Sequence, residues 1–204
     1  MHRHNAAYGA LVLDGNYEEA SVDGRFSCGR GTLVIHPVWH AHGDTFGTGG
    51  ATVLNLPLPD MDTSALQAFD VNDVDCLERL AHDDPGAAAQ AALDEGRLHP
   101  PLAPARWLVR YVESLLLESG VETGSLARRI GISPEHASRA CKAWFGLGPA
   151  KLRREGQLRR AITVLRAGGS PSDAVHEAGF CDQPHLTRLL KRMTGLTPAR
   201  LRCV

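Results

Sequence analysis

The sequence predicts a chain of two domains, an N-terminal all-β barrel followed by short helices and a C-terminal all-α domain of seven helices. Three observations carry this prediction. Short β-forming runs alternate with Gly and Asp as far as Leu58, apolar stripes of helical period fill the chain from Ala105 onward, and a proline-rich stretch lies between. Charge divides at the same place. Residues 1–103 carry 5 Lys/Arg against 15 Asp/Glu and residues 104–204 carry 17 against 8, so a net charge of −1 conceals a strongly basic half. A basic domain joined to an acidic one points to nucleic acid as a partner of the former, and it argues against uniform attraction to a membrane.

The first half contains the strand candidates Tyr8–Leu13, Tyr17–Ala20, Arg25–Cys28, Thr32–His36 and Ala51–Leu56. Between them Asp14-Gly15-Asn16, Asp23-Gly24, Gly29-Arg30-Gly31 and Gly47-Thr48-Gly49-Gly50 supply the positive φ angles of tight hairpins. Close-spaced antiparallel strands, closed into a sandwich or barrel over residues 1–60, follow. Beyond Pro57 and Pro59 helix formers take over, with helices expected at Ser64–Phe69, Val74–His82 and Pro85–Glu95 in a connector over residues 61–103. Leu66, Phe69, Leu77, Leu80 and Leu93 read as core in preference to the seam of a homodimer. The three prolines of Leu98–Pro104 cannot continue a helix, so the second domain is placed at 104–204.

Trp107, Leu108, Tyr111, Val112, Leu115 and Leu116 then form the stripe of a first core helix. Ser125–Ile130, Pro134–Phe145, Pro149–Arg166, Ser172–Ala178, Gln183–Met193 and Pro198–Arg202 complete the set. Five cysteines (Cys28, Cys76, Cys141, Cys181, Cys203) include no CxxC pair, which indicates neither a zinc ribbon nor a disulfide framework and makes a reducing cytoplasm the default. The N-terminal apolar stretch lacks a small-residue cleavage site, and no run approaches membrane-spanning length.

The second domain repeats itself. Residues 133–153 and 182–202 align at a spacing of 49, pairing His136 with His185, Arg139 with Arg188, Lys142 with Lys191, Gly146 with Gly195 and Pro149 with Pro198. Each copy reads as a helix, a turn and a second helix, capped in advance by Ser133 or Asp182. In the first copy Ala137, Ala140, Cys141 and Trp144 share an inward stripe, while Glu135, Ser138, Arg139 and Lys142 share the outward one. In the second, Leu186, Leu189, Leu190 and Met193 face inward and Pro184, Thr187, Arg188 and Lys191 outward. The helix between the copies spans about 27 Å at 1.5 Å per residue, which can hold two reading helices about one turn of DNA apart. Chemistry assigns roles. Arg139 and Arg188 suit bidentate bonds to guanine, Gln183 suits adenine, Glu135 can accept from cytosine and Thr187 can touch a thymine methyl. Lys142, Arg153, Arg154, Lys191, Arg192 and Arg202 suit phosphates. The alternative for each is an ordinary solvated helix face.

The run Gly179-Phe180-Cys181-Asp182-Gln183-Pro184-His185-Leu186-Thr187-Arg188, continued by Leu190-Lys191-Arg192 and Gly195-Leu196-Thr197-Pro198 with Arg202, resembles the C-terminal signature of the AraC/XylS family of bacterial transcription regulators. The resemblance covers roughly the last hundred residues. It implies a seven-helix domain with two helix-turn-helix units acting on double-stranded promoter DNA, with RNA polymerase as a further partner. It carries base-contact roles onto Glu135, Ser138 and Arg139, and onto Gln183, His185, Thr187 and Arg188. Three departures stand out. Cys141 and Leu190 occupy positions where the family has a large aromatic, Val175 replaces a small alanine, and Gly156 weakens the linking helix by about 1 kcal/mol relative to alanine.

In the first half His2-Arg3-His4, Tyr8 and Gly15, then Gly31, Pro37 and His42, resemble in spacing the two cupin motifs. The resemblance implies a cupin-like barrel in which His2, His4 and His42 could converge on a divalent transition metal such as Zn, Ni or Fe. Tyr8 and Trp39 stand where metal-binding cupins have glutamate and glycine. The alternative is a barrel without metal that takes a small organic effector, or none. Strand alternation places His36, and with it His40, on the surface. A start at His2 leaves no room for the N-terminal arm used as a switch in parts of the AraC/XylS family, so that mechanism is not expected.

The leading reading is therefore a sequence-specific transcription factor, not an enzyme, that requires no cofactor and whose acidic barrel responds to an effector. A metal-dependent cupin enzyme of dioxygenase type with secondary DNA binding is the alternative, though beyond the histidines and Tyr8 no acid or base is evident. A metal-responsive regulator is the third reading.

Overall fold

Strand β1 (Tyr8–Ser21) organises the N-terminal half, pairing antiparallel along its length with β4 (His42–Pro57). Its other edge takes β3 (Thr32–His36) over Tyr8–Leu11 and β2 (Gly24–Gly29) over Asn16–Ser21. β5 (Gln67–Asp70) adds to β3 and β6 (Arg97–His99) to β5, giving one six-stranded half-barrel. This computed structural model describes residues 1–58, 65–118 and 120–202, and it divides into two units, Met1–Ala103 and Pro104–Val204.

Two expected hairpin turns are absent among the described residues. Asp14-Gly15-Asn16 lies inside β1 and Gly47–Gly50 inside β4, and the β1–β4 ladder slips register between Val12 and Asp14 and again between Gly15 and Tyr17. Gly15 sits at φ 74°, and a Cβ there would lie 2.2 Å from the Gly50 carbonyl oxygen. A glycine at positive φ serves a bulge as well as a turn, which is why the two are indistinguishable in sequence. Asp23-Gly24 and Gly29–Gly31 do join consecutive strands.

The helix expected at Ser64–Phe69 is instead β5 at Gln67–Asp70, and Ser64 lies outside the described residues. Pairing to β3 decides the matter, since four residues are too few for helical period to compete with a ladder. Part of the proline-rich stretch is likewise strand, as β6. Helices α1 (Val74–Asp83) and α2 (Pro85–Glu95) have their N-terminal amides capped by Asp73 and Asp84, and they cover one face of the sheet with Leu77, Ala88 and Ala92 against Leu11, Leu33 and Ile35. The opposite face carries Val12, Phe26, Cys28 and Val34. Thus every residue of β3 is buried.

The C-terminal unit contains α3 (Arg106–Leu117), α4 (Thr123–Arg129), α5 (Pro134–Phe145), α6 (Pro149–Arg166), α7 (Pro171–Ala178), α8 (Gln183–Thr194) and α9 (Pro198–Leu201). α4 begins earlier than Ser125 because the Glu122 carboxylate accepts from the Gly124 and Ser125 amides at 2.8 and 2.6 Å. α6 is the central post, packing on α3, α5, α7 and α9 with Leu152, Leu158 and Leu165 shut from solvent. Gly156 is part of that packing: a Cβ there would meet Leu116 Cδ2 of α3 at 2.4 Å. Cys141 and Leu190 are fully buried. Among the described residues no helix is long and apolar enough to cross a membrane, and Cys28, Cys76, Cys141 and Cys181 are free thiols. Cys203 lies outside them.

Candidate functional site

Two places in the molecule gather chemistry, one in each unit. In the C-terminal unit the duplicated message folds into duplicated structure. α4 ends on Ile130 and turns at Gly131 (φ 79°) before Ser133, whose Oγ accepts from the His136 amide at 3.1 Å to start α5. α7 ends on Gly179 (φ 71°) and turns through Phe180 to Asp182, whose Oδ1 accepts from the His185 amide at 2.6 Å to start α8. Gly146 and Gly195 close α5 and α8 in the left-handed conformation, with Pro149 and Pro198 opening the next helices. Each cap satisfies backbone groups a helix end leaves open, and this fixes where α5 and α8 begin.

The two helices display the outward stripes. Glu135 and Arg139 on α5 are exposed and Ser138 is half-buried, while Ala137, Cys141 and Phe145 are buried. On α8 Gln183, His185 and Arg188 are exposed and Thr187 half-buried, above Leu186, Leu189 and Leu190. The rings of His185 and Phe180 form a T-shaped pair at 5.3 Å, and the repeat counterpart His136 packs tilted against Trp107 at 5.0 Å.

Lys142, Arg154, Lys191, Arg192 and Arg202 are exposed, although Arg202 donates one Nη to the Gly168 carbonyl at 3.0 Å. Arg153 departs from the phosphate role read for it. It is half-buried, its Nε donates to the Leu115 carbonyl at 3.1 Å, and its Nη2 is enclosed, so it ties α6 to α3. Lys151 went unread: it is exposed and lines, with Ser138, Lys142 and Gly148, a groove of about 620 Å³ beside α5. Gly148 offers the amides of α6 no side-chain cap. An uncapped helix start beside two lysines attracts anions, but its signal in sequence is only the missing Ser, Thr or Asp.

In the N-terminal unit His2 and His42 exchange backbone hydrogen bonds (2.8 and 3.2 Å), and the Trp39 amide donates to the His4 carbonyl at 2.8 Å. Trp39 holds φ 57°, the left-handed conformation a glycine would take at this place. These bonds bring His2, His4 and His42 together, with ligating atoms within 4.8 Å of one another. Tyr8 adds its hydroxyl 3.4 Å from His42 Nε2.

His36 and His40, expected on the surface, are buried at 2 and 3% exposure. Alternation assigns a residue to a face, but both faces of β3 are covered. His36 Nε2 lies 2.7 Å from Glu19 Oε1, and His40 Nε2 lies 2.7 Å from Asp23 Oδ2. Glu19, His36 and His42 form a second triad of ligating atoms within 4.8 Å, beside a cavity of about 150 Å³ also lined by Tyr8, Tyr17, Asp44 and Asn55. Burial first, then the neighbouring His36 and His2, pushes the His42 imidazole down to about 2, so it is neutral with a lone pair to offer. Burial and then the Glu19 charge raise Asp44 and Tyr8 above their ordinary ranges.

Residues 126–203 match a family described as a helix-turn-helix domain. The arabinose operon regulatory proteins of Salmonella typhimurium and Escherichia coli are each 27% identical to this chain over 107 residues, 52% of it and 38% and 37% of theirs. The aligned stretch thus spans well under half of those relatives. Among solved structures, the C-terminal domain of AraT, a response regulator from Geobacillus stearothermophilus, is 18% identical, with 48% of this chain and 85% of that one covered and a TM-score of 0.45. ToxT from Vibrio cholerae is 7% identical, with 99 and 90% covered and a TM-score of 0.48.

Proposed function

We propose that this chain, whose C-terminal half is a DNA-binding helix-turn-helix domain of the AraC/XylS type, is a sequence-specific transcription regulator that reads promoter DNA with α5 and α8. The observation that carries this reading is the matched presentation of Arg139 and Arg188, each exposed one turn into a helix that a side-chain cap starts and a left-handed glycine ends. Glu135, Ser138 and Arg139 on α5, with Gln183, His185, Thr187 and Arg188 on α8, meet base edges in successive major grooves. Lys142, Arg154, Lys191, Arg192 and Arg202 hold phosphates, joined by Lys151. The 18 residues of α6 make a spacer of about 27 Å between the units.

The N-terminal half-barrel is the sensing domain, cupin-like in the spacing of its histidines and glycines. Its polar pocket, with His2, His4 and His42 at one end, receives a small organic effector or a metal ion that biases DNA binding. A second copy of the chain and RNA polymerase are the protein partners this reading implies.

The test is selection of duplexes by the full chain from a random pool at moderate salt. Recovery of a two-part site with half-sites about one helical turn apart is the expected outcome. Equal affinity for selected and random duplexes would reject the reading.

A further inference from the structure

We propose that Glu19, His36 and His42 form a binding site for one divalent first-row transition-metal ion, distinct in its ligands from the three-histidine cluster nearby. The inference rests on the reading of the N-terminal unit as a sensing domain and names the chemistry of what it senses.

The three side chains come from adjacent strands, Glu19 from the second half of β1, His36 from the end of β3 and His42 from the start of β4, so the ladder fixes their spacing. All are shut from solvent, at 0, 2 and 1% exposure. Neighbouring ligands on an ion with bonds of about 2.1 Å stand about 3.0 Å apart in an octahedral shell and about 3.4 Å in a tetrahedral one. Glu19 Oε1 and His36 Nε2 stand 2.7 Å apart as a hydrogen-bonded pair, so losing the proton between them and parting by a few tenths of an ångström opens that edge to an ion. The supporting contacts suit ligands too. Tyr17 donates to the other carboxylate oxygen of Glu19 at 3.3 Å, and His42 Nδ1 faces the His40 carbonyl at 3.4 Å, which leaves its Nε2 as the donor atom.

The protein alone leaves this pocket unsatisfied. Asp44 Oδ1 is enclosed and finds no hydrogen-bond partner among the described residues. Two carboxylates, Glu19 and Asp44, share the cavity with the imidazoles of His36 and His42. A dication between them offsets the buried negative charge, where an unpaired carboxylate is costly. The competing set is more open: His2, His4 and His42 supply no carboxylate ligand of their own, Asp44 Oδ2 stands 4.0 Å from His2 Nε2, and the His2 side chain is 48% exposed. His42 has only Nε2 to offer, with the Tyr8 hydroxyl 3.4 Å away, so a single ion takes one set or the other, and the enclosed set with a carboxylate is the better organised. Two imidazoles and a carboxylate suit Zn²⁺, Fe²⁺, Co²⁺ or Ni²⁺ over Mg²⁺ or Ca²⁺.

The experiment is titration of the untagged full chain with Co²⁺, read by its visible absorption, on the wild type and the Glu19→Gln, His36→Gln and His2→Ala variants. One ion per chain is expected, with affinity lowered at least about tenfold by Glu19→Gln and His36→Gln and by less than about threefold by His2→Ala. Because a buried substitution can unfold the unit, Zn²⁺-loaded wild-type protein is also examined by X-ray absorption, where two imidazoles with carboxylate oxygen are expected. No uptake, a shell of three imidazoles, or loss of binding confined to His2→Ala overturns the site. Binding to a selected duplex is measured on the same samples. Failure there with metal uptake intact rejects the regulator reading alone, and intact DNA binding without metal rejects the site alone.

Discussion

The imidazole of His36 lies 2.7 Å from the carboxylate of Glu19, and both side chains are closed to solvent beside Tyr8, Tyr17 and His42. Removing one member leaves the other buried and unpaired, which is the expensive way to break such a contact. Glu19→Ala should therefore destabilise the N-terminal unit by about 3 kcal/mol in urea unfolding. The double variant Glu19→Leu, His36→Leu should lose less than the two single leucine variants summed. Strict additivity would show that the pair is not coupled.

On the DNA side, Arg139 and Arg188 differ from Lys191 in what they can read. A guanidinium offers two parallel donors to one guanine, while an ammonium is a point charge. Arg188→Ala and Arg139→Ala should each cost about 1–3 kcal/mol of discrimination at one base position of the selected site. Lys191→Ala should weaken all duplexes alike and reduce the slope of log affinity against log salt by about 1. Competition binding across single-base variants checks both, and a uniform loss in Arg188→Ala would remove its role in reading sequence.

Why α5 and α8 were legible and the pocket was not follows from the range of the forces involved. Ser133, Asp182, Gly146 and Gly195 act on their own helix ends, so their identities announce where α5 and α8 start and stop. Glu19 carries no such local sign. Its place beside His36 depends on β1 pairing with β3 and β4 across 17 or more positions, and on helices covering the far face of β3. The same non-local pairing made a strand of Gln67–Asp70 and a bulge of Gly15. Gly156 was legible only as a weak point of a helix, because its neighbour Leu116 lies on a different one.

That neighbour makes a measurable coupling. Alanine at 156 gains about 1 kcal/mol of helix propensity over glycine, but its Cβ enters space held by Leu116 Cδ2. In a Leu116→Ala background the obstruction is gone, so Gly156→Ala should stabilise there by about 1 kcal/mol. In the wild type it should be less favourable by at least about 0.5 kcal/mol. Unfolding of the four proteins closes the cycle, and additivity would mean that α3 and α6 adjust to the methyl group freely.

Helix α7, the first of the second helix-turn-helix pair, depends on pH through its cap. Ser170 Oγ accepts from the Asp173 amide at 3.1 Å, and Asp173 Oδ2 accepts from the Ser170 amide at 2.8 Å. The side-chain hydrogen bond with Ser170, and then the backbone one, hold the Asp173 carboxyl below its ordinary value. A carboxyl depressed in the folded state stabilises fully above its unfolded range, and the contribution is lost as pH falls through the folded value. α7 should therefore keep its cap at neutral pH and begin to fray only in acid. In an NMR titration Asp173 should titrate below an ordinary aspartate. Ser170→Ala removes the hydroxyl and keeps the backbone donor, so it should raise that midpoint part of the way. An unchanged midpoint in Ser170→Ala would show that the hydroxyl does not hold the carboxylate.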